Sequence, residues 1–187
     1  PIAIYASSRT AIGKLGGFHA RVPAHRLLAS AMTGTLSRSL NLDDPSMPEA
    51  ADRCKAVTDL LASESFDDVI IGTVRNSIGN VGRFGALEVG LSQEIPAVTV
   101  DRQCASSLEA IAQAGLKLTA GGASRILVGG VESASQAPWL YAKTSRPYAY
   151  FEPQAFRVQM SSGKVGDPTM GETAEIVSEE FGITREK

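Results

Sequence analysis

The stretch Pro96–Ala112, with the sequence PAVTVDRQCASSLEAIA, indicates how this chain folds. Ala97–Val100 is a short apolar and β-branched run, which is typical of a buried strand. Three polar residues follow it, and from Cys104 onward apolar side chains recur at helical spacing, with Leu108 and Ile111 on the face that also carries Cys104. The segment therefore predicts a strand that turns into a helix, with Cys104 at the start of that helix.

Strands and helices alternate along most of the chain. The predicted strands are Ile2–Ala6, Asp68–Val74, Ala97–Val100 and Arg125–Val128, and the predicted helices are Pro23–Leu40, Glu49–Ser63, Phe84–Val89, Cys104–Ala120 and Gly171–Phe181. This alternation predicts an α/β layered domain with parallel strand pairs over residues 1–130. Residues 131–169 have weak periodicity and are predicted to leave the layered core.

Composition excludes several classes of protein. A net charge of −2 does not fit a globally basic nucleic-acid binder. The sequence lacks the run of about 18 apolar residues that a membrane-spanning helix needs, and its first residues are predicted to form a strand rather than a signal peptide. The two cysteines, Cys54 and Cys104, have no metal-ligand spacing, so free thiols in a reducing, cytoplasmic compartment are expected.

Cys104 is the candidate for chemistry. A helix start carries unpaired N–H groups and partial positive charge, which would stabilise a thiolate and the oxyanion formed when a thioester carbonyl is attacked. The alternative is a small buried hydrophobe, because Cys104 shares a face with Leu108 and Ile111. Cys54 lies in the middle of a predicted helix, on an apolar stripe, and is interpreted as a core residue.

Five segments, in order along the chain, resemble motifs of the thiolase family. They are RTAIG at 9–13, GN with Arg83 at 79–83, VTVDRQCASSLEAI at 98–111, GGVES at 129–133 and GDPTMGETAE at 166–175. The resemblance implies a thiolase-like layered fold whose N-terminal βαβαβ-containing half, with a mixed sheet and helices, spans residues 1–130. It also implies that residues 131–187 begin an inserted loop domain, and that the C-terminal half is absent from this chain.

The resemblance implies an acyl-CoA acyltransferase, an acetyl-CoA acetyltransferase or 3-ketoacyl-CoA thiolase, that forms an acyl-cysteine intermediate. Such an enzyme condenses acetyl-CoA units or cleaves a 3-ketoacyl-CoA with CoA, in fatty acid metabolism. It uses no cofactor beyond its CoA substrates and no metal, and it is a homodimer or homotetramer. By the same resemblance, Cys104 is the nucleophile and its backbone N–H an oxyanion donor, and Met170 lines the substrate pocket. Asn80, Arg83, Ser106, Glu132 and Ser133 belong to the active-site scaffold or a dimer loop.

The chain also departs from the family pattern. The histidine that activates the nucleophile belongs to the C-terminal half, and neither His19 nor His25 matches a catalytic position, so the chain alone is expected to be inactive. Thr169 stands where many biosynthetic members have histidine, which leaves acyl length and direction open. Ser107 replaces the usual glycine and resembles ketoacyl synthases. Two alternatives therefore stay open: a ketoacyl synthase-like condensing enzyme, and a non-catalytic subunit that binds acyl-CoA or acts as a scaffold.

Overall fold

The computed structural model describes residues 1–40, 59, 66–143 and 153–186. The chain forms two compact units, Pro1–Pro138 and Trp139–Lys187, and each is treated by itself. The assignment of residues 131–187 to a loop domain stays a prediction. The predicted helix Glu49–Ser63 lies almost entirely outside the described residues.

A three-stranded parallel sheet forms the centre of the first unit. Its strands are β1 (Asp68–Gly72), β2 (Ala97–Val100) and β3 (Ile126–Gly130), in the order β2-β1-β3. All five residues of the central strand β1 are buried, which agrees with its continuous apolar run and with a strand covered on both faces. Val69 lies opposite Ala97 on one side and Leu127 on the other.

Helices cover both faces of this sheet. Among the described residues of the first unit they are α1 (Ala24–Ser39), α2 (Val81–Glu88) and α3 (Ser106–Thr119). The larger core is formed by buried side chains from α1, α2 and the sheet, including Leu28, Met32, Leu36, Val69, Ile71, Val81 and Ala86. A smaller core packs α3 on the other face, through Ala110 and Ala114 against Ile70. The predicted α/β layered fold is therefore confirmed.

The predicted strand at Ile2–Ala6 is wrong. Residues 1–10 form neither helix nor strand, and Ile4 and Tyr5 are 84% and 85% exposed. A strand needs a neighbour that satisfies its backbone N–H and C=O groups. Directly after it, Ser7 and Ser8 bond to α1: the Arg38 guanidinium donates to Ser7 O at 2.7 Å, and the Ser8 hydroxyl donates to Ala31 O at 2.6 Å.

The apolar stripe of α3 is not the face that the helix buries. Leu108 and Ile111 are 67% and 47% exposed, and the buried residues of the helix are Ser106, Ala110 and Ala114. Small side chains face the sheet because the helix start lies directly against Gly72 and Gly130, at the ends of β1 and β3. The larger apolar side chains of α3 consequently form an exposed surface.

The second unit contains helix α4 (Met170–Phe181), close to its predicted range. Thr169 caps its start with a reciprocal capping box, in which the Thr169 hydroxyl accepts from the Glu172 N–H at 3.2 Å and the Glu172 carboxylate accepts from the Thr169 N–H at 2.6 Å. Gly182 ends the helix with φ 58°, the left-handed conformation that glycine adopts without strain. None of the residues of α4 is buried.

Candidate active site

Cys104 lies in the turn between β2 and α3, and it is exposed. The strand ends at Val100 and the helix begins at Ser106, with Ala105 as the N-cap residue. The interpretation of Cys104 as a core residue is therefore wrong, although the helix starts two residues later than predicted. The thiol stands beside the end of a helix where N–H groups lack partners within the helix and carry partial positive charge.

Backbone bonds close the turn around this thiol. The Ala105 N–H donates to Arg102 O at 3.1 Å and the Ser106 N–H donates to Gln103 O at 3.0 Å. Gln103 has φ 52°, and it is the one residue other than glycine with positive φ among those described. Asp101 supports the turn, since its Oδ1 accepts from the Gln103 N–H at 2.8 Å. Asp side chains commonly form such local bonds in turns.

The Ser106 side chain is buried beneath this turn, with 4% exposure. Its hydroxyl donates to Gln103 O at 2.6 Å and accepts from the Arg102 N–H at 2.9 Å. An ion pair of 2.7 Å between Arg102 Nε and Glu109 Oε2 joins the same turn to the first turns of α3. Of the predicted scaffold residues, Ser106 is the one whose hydrogen bonds lie within the Cys104 turn.

Two glycines let the helix start approach the sheet. A Cβ on Gly72, at the end of β1, would lie 2.4 Å from Ser106 C and 2.5 Å from Ser107 N. A Cβ on Gly130, at the end of β3, would meet the Ser107 side chain. Only a residue without a side chain fits at these two points. The strand ends therefore set the position of the turn that carries Cys104.

Asn80 and Arg83 brace the start of α2 against β2. Asn80 is the N-cap residue, and its Oδ1 accepts from the Arg83 N–H at 2.9 Å and from the Thr99 hydroxyl at 2.7 Å. Its amide donates to Ala97 O at 3.0 Å. The Arg83 guanidinium donates to Ile95 O at 2.6 Å and to Gln93 O at 2.8 Å. Both residues hold the segment that leads into β2 and then into the Cys104 turn.

Asn80→Ala is expected to lower the free energy of unfolding by about 1–2 kcal/mol, because it removes a helix cap and leaves the Thr99 hydroxyl without this acceptor. Asn80→Asp is the matched control, since it keeps the acceptor oxygen and loses only the donor to Ala97 O. It should lose less. Urea denaturation of both variants measures the difference; equal losses would show that the acceptor oxygen does not carry the effect.

Glu132 and Ser133 connect the end of β3 to other backbone segments. The Glu132 carboxylate accepts from the Val74 N–H at 2.9 Å and from the Arg75 N–H at 3.1 Å, just beyond β1. The buried Ser133 hydroxyl donates to Val22 O at 3.3 Å. Their bonds hold loops at the carboxyl edge of the sheet, where β2 also ends. The assignment of both residues to an active-site scaffold stays a prediction.

Met170 belongs to the second unit, as the first residue of α4, and its side chain is 70% exposed. In the adjoining capping box, the pKa of Glu172 lies below its usual value, first because the Thr169 N–H donates to its carboxylate. The contribution of this charged cap is present above the ordinary glutamate pKa and is lost as the pH falls through the lowered one. The proposed contact of Met170 with substrate stays a prediction.

An ion pair that no sequence motif indicates orients α3. Lys117, near the end of the helix, forms an ion pair of 2.5 Å with the buried Asp68 at the start of β1. The two residues lie 49 positions apart and belong to no motif, so no local signal connects them. The pair fixes the far end of the helix whose near end carries the Cys104 turn.

Neither histidine is part of the Cys104 turn. His19 Nε2 lies 3.1 Å from Ala11 O, and the His25 ring packs on Phe84 with centroids 4.5 Å apart.

Over residues 1–40, 59, 66–143 and 153–186, no cluster of three or more His, Cys, Asp or Glu side chains could hold a metal ion. Within the same part of the chain, no helix has the length and hydropathy needed to cross a membrane.

Known proteins show to which family the chain belongs. The family model described as "Thiolase, N-terminal domain" matches residues 47–187. The chain belongs to the thiolase family. A structural relative of this thiolase chain is human mitochondrial 3-ketoacyl-CoA thiolase, solved in complex with CoA, with a TM-score of 0.73 and 26% identity over 97% of this chain and 42% of that one.

Curated relatives of this thiolase chain include staphylococcal proteins that carry the name "Putative acetyl-CoA C-acetyltransferase VraB". The Staphylococcus aureus protein is 33% identical over 186 residues, which are 98% of this chain and 43% of the relative. The Staphylococcus epidermidis protein is 36% identical over 185 residues, with 97% and 42% covered. The thiolase chain thus spans less than half the length of the relatives it matches.

Proposed function

We propose that this chain is the N-terminal part of a thiolase that transfers acyl groups between CoA thioesters, with Cys104 as the acyl acceptor. The observation that carries the proposal is the exposed Cys104 thiol in the turn that opens α3. Membership of the thiolase family and the likeness to a thiolase bound to CoA support a CoA thioester as the substrate.

The chemistry follows from the position of the thiol. The Cys104 thiolate attacks the carbonyl carbon of the thioester, and a new C–S bond forms as the carbonyl oxygen becomes an oxyanion. The Cys104 N–H, in the turn before α3, and N–H groups at the helix start donate hydrogen bonds to this oxyanion. The bond to the CoA sulfur then breaks, CoA leaves as its thiolate, and the acyl group stays on Cys104.

The proton of the Cys104 thiol needs an acceptor, and among the described residues no histidine lies in the turn. His19 and His25 bond and pack elsewhere, and the charged pair beside the thiol, Arg102 with Glu109, is already joined. General acid–base help contributes about 10²–10⁴-fold to rate. We infer that a further part of the protein supplies this group. Without it, Cys104 of the 187-residue chain still takes up an acyl group, but slowly, and the chain completes no useful turnover alone.

Alkylation distinguishes the proposed acyl acceptor from a scaffold. In a Cys54→Ala chain, Cys104 is the one remaining thiol, so iodoacetamide labels it alone. Fast labelling at neutral pH, slowed by acetyl-CoA but unchanged by AMP as a matched adenine nucleotide, is the expected result. A thiol that labels slowly, or whose labelling acetyl-CoA leaves unchanged, would contradict the proposal and favour the non-catalytic acyl-CoA-binding or scaffold alternative.

We also propose that the whole thiolase acts in the cytoplasm as a homodimer or homotetramer in fatty acid metabolism. Support comes from the family resemblance and from exposed apolar side chains on α3, where Leu108, Ile111 and Leu116 are 67%, 47% and 72% exposed. Apolar surface of this kind is typical of sides that another protein surface covers. Light scattering of the chain is expected to show association, and a stable monomer would contradict it.

A further inference from the structure

We propose that Ser106 is a positioning residue for the acyl-transfer step, acting through its hydroxyl on the turn that carries Cys104. The inference rests on the proposed function, because it assigns a role in acylation of Cys104. Ser106 does not reach the reacting atoms; it holds the backbone around them. This role is more specific than that of a general scaffold residue, because acylation of Cys104 is the step expected to slow when the hydroxyl is removed.

The hydroxyl joins two backbone groups on either side of one peptide. It accepts from the Arg102 N–H at 2.9 Å and donates to Gln103 O at 2.6 Å. Both of its hydrogen-bonding roles are thus used within the turn. Since Ser106 is only 4% exposed, water cannot easily replace the hydroxyl as partner of these groups.

The turn needs such support because Gln103 adopts φ 52°. A residue with a Cβ pays a steric penalty in this left-handed region, and it stays there only when its surroundings hold it. The Gln103 side chain is exposed and provides no anchor in the core. The bonds to its backbone come from the Asp101 carboxylate, the Ser106 N–H and the Ser106 hydroxyl. Loss of the hydroxyl removes the bond made by the one buried side chain among them, since Asp101 is exposed.

Cys104 directly follows this strained residue, so the φ of Gln103 sets the direction of the Cys104 N–H and side chain. Acyl transfer needs the thiol and the oxyanion donors aligned on one carbonyl group, and a misplacement of about 1 Å can cost on the order of 10²-fold in rate. Alkylation by iodoacetamide forms no oxyanion and depends mainly on the exposed thiolate. The two reactions of the same sulfur therefore respond differently to a change in the turn.

The matched control for Ser106 is its neighbour Ser107. Ser107 is exposed, and its hydroxyl forms no hydrogen bond with the parts of the chain that the structure describes. Ser106→Ala and Ser107→Ala delete the same atom at adjacent positions. Ser106→Ala/Gln103→Asn adds a second test, because asparagine tolerates the left-handed conformation better than glutamine and reduces the need for the hydroxyl.

The experiment measures two rates in the Cys54→Ala chain: acetylation of Cys104 at saturating acetyl-CoA, followed by mass spectrometry, and alkylation by iodoacetamide. Ser106→Ala is expected to slow acetylation by about 10-fold or more and alkylation by less than about 2-fold. Ser107→Ala should change neither by more than about 2-fold, and Gln103→Asn should recover part of the lost acetylation.

Three other outcomes would contradict the proposal, each for a different reason. Equal slowing of both reactions by Ser106→Ala, with no recovery by Gln103→Asn, would mean that Ser106 has a merely structural role. Unchanged acetylation in Ser106→Ala would mean that the hydroxyl is dispensable. If the parent chain with Ser106 intact takes up no acetyl group while its thiol alkylates normally, the proposed function itself fails, independently of Ser106.

Discussion

The Cys104→Ala chain is expected to take up no acetyl group from acetyl-CoA, with a rate at least on the order of 10³-fold below that of the unchanged chain, since removal of a covalent nucleophile eliminates the intermediate itself. Cys104 is the exposed thiol at the start of α3, and alanine keeps the backbone and small size at that position. The mass of the intact chain after incubation and acid quenching measures the uptake.

Cys54→Ala is the matched control for this loss, because it removes the other thiol of the sequence and leaves Cys104 unchanged. It should acetylate at the same rate as the unchanged chain within about 2-fold, as expected when the acyl acceptor is left in place. Since Cys104 is exposed, Cys104→Ala should unfold at nearly the same urea concentration as the unchanged chain. Acetylation that persists in Cys104→Ala and disappears in Cys54→Ala would contradict the assignment of the nucleophile.

Gly72→Ala is expected to cost about 3 kcal/mol of unfolding free energy, at the upper end of the range for overpacked sites. The added Cβ would lie 2.4 Å from Ser106 C and 2.5 Å from both Ser106 O and Ser107 N. These are backbone atoms of the α3 start and cannot rotate away as a flexible side chain can. The helix start must shift as a whole, so acetylation of Cys104 should fall together with stability.

Gly79→Ala is the control for this substitution. A Cβ there would meet no atom within 4 Å, and Gly79 does not have positive φ. Its effect should stay within about 0.5 kcal/mol, as for ordinary surface changes. Guanidinium denaturation followed by circular dichroism gives both free energies. Equal stability of the two variants would show that α3 does not rest on the end of β1 as described.

Local pattern was sufficient to predict the elements around Cys104. Asp68–Gly72 and Ala97–Val100 are short apolar runs bounded by polar turns, and both are strands of the parallel sheet. The helix after Cys104 follows from its apolar periodicity and from the glycines that end it near residue 121. The ordered thiolase motifs added the family, which the family model for the N-terminal domain confirms over residues 47–187.

The face that α3 turns to the sheet could not be predicted from periodicity. Leu108 and Ile111 form the more hydrophobic stripe, and the usual rule would bury them. The stripe actually buried is Ser106, Ala110 and Ala114, because close approach at Gly72 leaves room only for small side chains. That approach depends on a strand end far away in sequence, which helical spacing does not report.

The predicted strand at Ile2–Ala6 failed for a related reason. Its apolar residues suit a strand, but a strand forms only where a neighbour accepts and donates its backbone bonds. In the structure, Ser7 and Ser8 bond to α1 through Arg38 and the Ala31 carbonyl oxygen. The hydrogen bonds of the Ser106 hydroxyl in the Cys104 turn could not be predicted either. They depend on the φ of Gln103, which no sequence pattern indicates.

The most direct test of the account locates the acyl group. The 187-residue chain is incubated with acetyl-CoA, quenched in acid, digested, and its peptides are analysed by mass spectrometry. We expect a single acetyl group, as a thioester on the Cys104 side chain, that CoA removes when added back. An acetyl group found only on Cys54, or a chain left unmodified although its Cys104 thiol is free and reduced, would contradict it.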